Sequence, residues 1–183
     1  MKYSKMIALK DCRSCILRNG TEQDAQAVLS SFIQTHGETD FLMTYPDEAT
    51  LTVDQEREYL RRKTDSDREI ELVAEVEGAI VGTAGIEGLG TAEKVRHRAS
   101  FGISVERPWW GLGIGRALTV ACVECARAAG YAQLELEVVG ENRRALALYR
   151  RAGFVEYGRN PRGFRSRLTG WQETVLMRLE LGE

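Results

Sequence analysis

The sequence predicts a single mixed α/β domain, and three observations carry that reading. The largely apolar run Phe101–Val105 is followed by Pro108, then by Gly111, Gly113 and Gly115. A helical pattern then continues with no Gly or Pro until Gly130: strand, glycine loop, helix. Upstream, Ile70–Val76 and Ala79–Ile86 are strand-like runs separated only by Glu77-Gly78, a two-residue hairpin signal. No linker, repeat or low-complexity tract divides the 183 residues, and a 43% hydrophobic content suits one sizeable core.

Taken in order, Ile16–Arg18 reads as the first strand and Asn19-Gly20 as a turn. Thr21 opens a helix, with Asp24 at the third position of a capping box. Ala25, Val28, Leu29 and Phe32 recur at helical spacing, and Gly37 is its expected stop. Glu38–Asp47 has no clean period and reads as a connection. Thr52 caps a second helix carrying Glu56, Tyr59 and Leu60. After the hairpin and a looser loop from Gly88 to Lys94, Val95–Val105 is the third strand of this group. A helix from Gly113 to about Ala129 comes next, with Ala117, Leu118, Ala121, Cys125 and Ala128 on one face. Leu134–Val139 is a strand, Asn142–Ala152 a helix, and Phe154–Tyr157 the start of another strand. Trp171–Leu181 closes the chain as a half-buried strand, with Val175, Met177, Leu179 and Leu181 on its apolar face.

Composition narrows the function classes. The net charge of −2 gives no global basic field, which argues against nucleic acid as a partner. No run of about 18 apolar residues exists to span a membrane, and Met1–Lys10 has no signal-peptide core, so a cytoplasmic location is expected by default. The four cysteines form two Cys-x-x-Cys pairs, Cys12/Cys15 and Cys122/Cys125. The second falls mid-helix without a knuckle turn, so buried thiols and no metal are expected.

The glycine loop points to an anion. Bare N–H groups and a helix N-terminus converge there, as a phosphate or pyrophosphate requires. A P-loop needs Lys-Ser/Thr after its last glycine, where this chain has Arg116-Ala117, and the dinucleotide fingerprint needs glycine at 116. The segment resembles instead motif A of the GNAT superfamily of acyl-CoA N-acyltransferases, Gln/Arg-x-x-Gly-x-Gly/Ala, with Trp110, Gly113 and Gly115 at the key places. Trp110 departs from the consensus. Downstream, Asn142, Ala145, Tyr149, Gly153 and Phe154 are similar to the family's Asn-x-x-Ala-x-x-x-Tyr-x-x-x-Gly-Phe segment. The resemblance covers residues 12–181 of one domain spanning 1–183. It implies a mixed, mostly antiparallel sheet flanked by helices and splayed at the acyl-CoA site.

The same resemblance implies a set of roles. N–H groups from Leu112 through Gly113, Ile114 and Gly115 to Arg116, with Trp110 and Gly111 beside them, hold the pyrophosphate of acetyl-CoA. The edge Ile103-Ser104-Val105 pairs with its pantetheine arm as an added strand. Asn142 caps its helix or touches that arm, next to Ala145. Tyr149 is the expected general acid for the departing thiolate or, by spacing alone, a core aromatic. From the residues themselves, Glu135 and Glu137 share the polar face of their strand, so at least one is expected to border the cleft; Glu137 is the expected base, and an ordered water in place of a dedicated carboxylate stays open. The family often has a carboxylate just before Phe101, where this chain has Ser100; His97, Glu38 and Asp40 are other candidates. The acceptor amine's site falls between Glu38–Glu48 and Asn160–Gly170. The expected activity is N-acetyltransfer from acetyl-CoA to a primary amine of a small molecule or protein, and the resemblance allows a homodimer. A catalytically silent acyl-CoA sensor is the alternative, kept open by Ser100.

Overall fold

Local capping decides where the helices begin. In the computed structural model, which describes residues 1–182, the Asp24 carboxylate accepts from the Thr21 N–H at 2.8 Å. A 3₁₀ turn at Glu22–Asp24 then leads into α1 (Ala25–Glu38). Thr52 and Gln55 exchange side-chain to backbone bonds of 3.3 and 2.8 Å at the start of α2 (Val53–Asp65). Gly37 does not stop α1 as expected; it lies inside the helix, which ends where Thr39 turns extended. The physical reason is a partner for the last turn: the Arg107 guanidinium donates to the Glu38 carbonyl, so no left-handed glycine is needed there.

The strands are β1 (Ser4–Ala8), β2 (Ser14–Asn19), β3 (Ile70–Val76), β4 (Ala79–Gly88), β5 (Arg98–Val105), β6 (Gln133–Val139), β7 (Val155–Ser166) and β8 (Gly170–Glu180). Between them lie α3 (Ile114–Ala128) and α4 (Arg143–Arg151). β1 was not expected. It is a short edge strand, exposed along most of its length, and so lacks the apolar alternation that marks a strand in sequence. Glu77 and Gly78 take positive φ values of 50° and 82°, as the β3–β4 hairpin turn demands. β5 starts later than Val95, because Val95 and Arg96 both donate to the Ala92 carbonyl and form a turn instead. Ala128 is exposed; the buried stripe of α3 runs through Leu118, Ala121, Cys122, Cys125 and Ala126.

Among the described residues these strands form one sheet of order β1-β2-β3-β4-β5-β6-β8-β7. Every neighbouring pair is antiparallel except β5 and β6. Those two run parallel and pair only from Arg98–Ser100 to Gln133–Glu135; beyond Ser100 they diverge. On one face, Leu72, Ile86, Phe101 and Leu134 join α3, Leu146 and Tyr149 in the main core. Burying each such Leu or Ile contributes about 1.5–3 kcal/mol. On the other face, α1 and α2 pack against Val73 and Ile80 around Ala25, Val28 and Leu60. The splay between β5 and β6 therefore opens the middle of the sheet between its two covered faces.

Candidate functional site

The splay is the floor of a cleft of about 1450 Å³, bordered by β5, the glycine loop, α4 and the α1–α2 face. At its glycine-loop end Gly111 and Gly113 hold φ of 86° and 107°, the left-handed region that a side chain disfavours. A Cβ built on either meets nothing within 4 Å, so open space lies before the loop. The first bond of α3 runs from the Ala117 N–H to the Gly113 carbonyl, which leaves the amides of Ile114, Gly115 and Arg116 without helical acceptors. The buried Ile114 side chain anchors that turn, and the Leu112 carbonyl accepts from the Lys10 N–H at 3.2 Å. The cradle fits an anionic phosphate ester.

Ile103, Ser104 and Val105 line the cleft, paired on one side with Ala84, Thr83 and Gly82 of β4. Trp110 donates its indole N–H to the Val105 carbonyl at 2.5 Å and lies under the guanidinium of Arg144, 4.9 Å from its ring centroid. Its position thus ties the end of β5 to α4. Asn142 is a helix cap: its Oδ1 accepts from the Ala145 N–H at 3.1 Å. Ala145 and Tyr149 also border the cleft. Tyr149 is 8% exposed and packs edge-on against Phe101, centroids 6.0 Å apart. Burial pushes its phenol well above the usual tyrosine range, so it keeps its proton.

The expected base candidates scatter. Glu137 is exposed on the cleft wall, its carboxylate accepting from the Thr174 hydroxyl. Glu135 is buried in a two-pronged ion pair with Arg98, at 2.5 and 2.8 Å. Ser100 donates to the Glu87 carbonyl at 3.2 Å. His97 is exposed and does not border the cleft. Glu38 accepts from the Arg107 N–H at 2.7 Å. Asp40 serves as a staple. Its carboxylate accepts from Ser166 (2.6 Å) and Gln172 (3.1 Å) of the β7–β8 hairpin, and from Tyr45 (3.2 Å). Arg167 pairs with Asp47 at 2.8 Å beside it. The two unpatterned segments therefore close on each other.

One group was missed in the sequence. Glu71 borders the cleft from β3, under Tyr59, whose hydroxyl donates to its Oε2 at 3.2 Å. Burial pushes its carboxyl up to about 7, outweighing the nearby Lys63 charge and the hydrogen bonds from Tyr59 and Thr83. Lys63, 1% exposed, is held by Glu69 at 2.8 Å. In the sequence Glu71 looks like the solvent side of an alternating strand; only the covering by α2 makes it a cleft group.

Among the described residues, no helix is long and apolar enough to cross a membrane. Nor does any group of three or more His, Cys, Asp or Glu side chains gather as a metal site. Cys15, Cys122 and Cys125 are buried free thiols, and Cys12 is exposed.

The profile of the Acetyltransferase (GNAT) family matches residues 36–154. An acetyltransferase of the GNAT family from Streptococcus pneumoniae superposes with a TM-score of 0.87, at 28% identity over 92% of this chain and 99% of that one. The yncA protein of Salmonella typhimurium, solved with its cofactor acetyl-CoA, shares the fold with a TM-score of 0.80, at 19% identity over 98% and 96% of the two chains. A mycothiol acetyltransferase from Beutenbergia cavernae is 52% identical over 45 residues, which is 25% of this chain and only 15% of that relative.

Proposed function

The chain belongs to the GNAT acetyltransferase family, and from that premise we propose that it transfers an acetyl group from acetyl-CoA to a primary amine of a small molecule or protein, by direct attack in a ternary complex. The observation that carries the reading is the splay itself. It gives a donor cradle at Gly111–Arg116, an open strand edge at Ile103–Val105 and a protonated phenol at Tyr149 around one cleft.

Acetyl-CoA supplies an activated thioester. The chain's own residues do the rest. Amides at the start of α3 bind the pyrophosphate, and the outer edge of β5 orients the amide-bearing arm as a strand neighbour. Asn142 fixes the start of α4, and α4 presents Tyr149. Held protonated by burial, Tyr149 delivers a proton to the leaving sulfur. One cleft carboxylate relieves the amine of a proton; the candidates are Glu137, exposed on the wall and bonded to Thr174, and Glu71, enclosed beneath Tyr59. A cytoplasmic location is part of this reading, supported by thiols that a reducing compartment keeps free.

The test is calorimetric titration with acetyl-CoA, then a panel of primary amines scored by thiol release. Binding with turnover on at least one amine is expected. Binding without turnover across the panel would favour a sensor; no binding would overturn the reading.

A further inference from the structure

We propose that Glu71 is the base of this enzyme, receiving the acceptor's ammonium group on the α1–α2 face of the sheet and taking its proton. The inference rests on the acetyl-transfer reading above and goes beyond it by assigning the residue and the face of approach.

The geometry is set by two missing side chains. Glu71 pairs with Gly85, and Gly85 with Gly102, so the three lie in line across β3, β4 and β5 on one face. The Glu71 carboxylate lies over Gly85, where any Cβ would collide with it; in front of Gly102 the space is empty. Neighbouring strands are about 4.8 Å apart, so a carboxylate above Gly85 stands roughly one strand spacing from β5. An amine resting over Gly102 is then beside both the carboxylate and the open edge at Ile103.

The two sheet faces divide the chemistry. Tyr149 packs with Phe101 on the α3–α4 face, whereas Glu71 shares the opposite face with Thr83 and Glu87. The splay joins them. Glu71 takes one proton from R–NH₃⁺, freeing the lone pair that forms the C–N bond as the C–S bond breaks. Tyr149 gives its proton to the sulfur and regains one from the nitrogen as it becomes an amide. One proton is released overall, through Glu71.

The groups around Glu71 suit this task. Glu56, Tyr59 and Lys63 face it from α2, Glu69 stands just before β3, Thr83 and Glu87 stand on β4, and His36 lines the cleft from α1. Cys122 lies below on α3. Lys63 is already held by Glu69 at 2.8 Å and reaches Glu87 at 3.8 Å, leaving Glu71 without a salt bridge. Its enclosure raises it toward about 7, the range that suits a base working near neutrality. Glu137, by contrast, is exposed and bonded to Thr174.

Glu71→Gln and Glu137→Gln separate the two. For each, acetyl-CoA affinity, turnover on the responsive amine and its pH profile are measured, and the Glu71 carboxyl of the intact protein is titrated by ¹³C NMR. Expected results are unchanged acetyl-CoA affinity and a loss of turnover of ~10²-fold or more in Glu71→Gln, with loss of the rise near neutrality. Glu137→Gln should stay within a few-fold of wild type. Wild-type turnover in Glu71→Gln, or titration of Glu71 in the ordinary carboxylate range, overturns the assignment. Failure of the wild type to bind acetyl-CoA instead overturns the acetyl-transfer reading, and the NMR titration still decides on Glu71.

Discussion

A base kept half-charged in a protein interior should cost stability, and the cost can be worked out for Glu71. Its carboxyl moves from the ordinary 4.5 to about 7 on folding. Between those values the native state holds a proton that the unfolded chain has released, so stability falls as pH rises through the window and then levels off. At 1.36 kcal/mol per pH unit the full loss is about 3 kcal/mol. Glu71→Gln keeps the shape and does not titrate. The attraction of Lys63 is already contained in the value of about 7, so we expect the variant to gain about 2 to 3 kcal/mol on wild type between about pH 5 and about pH 8. Urea unfolding at both pH values reads this directly. With a slope near ~2 kcal/mol per molar, the midpoint advantage at the higher pH should be about 1 M. Parallel pH dependence of the two proteins would refute the reasoning, because it would mean that Glu71 pays no burial cost.

Elsewhere in the cleft, Gly113→Asp should weaken acetyl-CoA binding at least tenfold by calorimetry, since it sets a side chain and a negative charge before the cradle and strains a φ of 107°. Tyr149→Phe keeps the packing against Phe101 and removes only the O–H, so turnover should fall by roughly 10²- to 10⁴-fold with acetyl-CoA affinity retained; equal kcat values would retire the acid role. Asp40→Ala releases the β7–β8 hairpin from the 39–48 segment and should raise KM for the amine several-fold without changing that for acetyl-CoA. Elemental analysis should find no stoichiometric zinc, because Cys15, Cys122 and Cys125 are packed in the core.

What the sequence made legible was whatever local chemistry dictates. The Thr52 cap, the Glu77-Gly78 hairpin and the glycine loop stem from backbone demands a few residues long, and each stands where expected. What stayed hidden depends on partners far away in the chain. β1 exists because β2 offers it an edge; Gly37 stays helical because Arg107, distant in sequence, satisfies Glu38. Asp40 looked like a candidate base and is a staple, since Ser166 and Gln172 surround it. Glu71 stands at an alternate position of β3 and is enclosed only because α2 covers that face. Period-two patterning tells which residues share a face, but not whether a helix later covers that face.

The brevity of the β5–β6 ladder has a consequence for the protein's lifetime. Among the described residues, three residue pairs make up the β5–β6 ladder, with the Ala132 and Gln133 N–H groups donating to the His97 carbonyl at its start, so the five strands before the gap and the three after it meet along a seam. A molecule whose amides and carbonyls complete that seam acts as a ninth strand that is not part of the chain. Resistance to unfolding then becomes a quantity the surroundings can dose: at a hundredfold excess over its Kd, such a ligand adds about 2.7 kcal/mol. Amide exchange at Ile103–Val105 should slow in proportion, and a cell depleted of the acetyl donor should lose the enzyme to proteolysis sooner than a well-fed one.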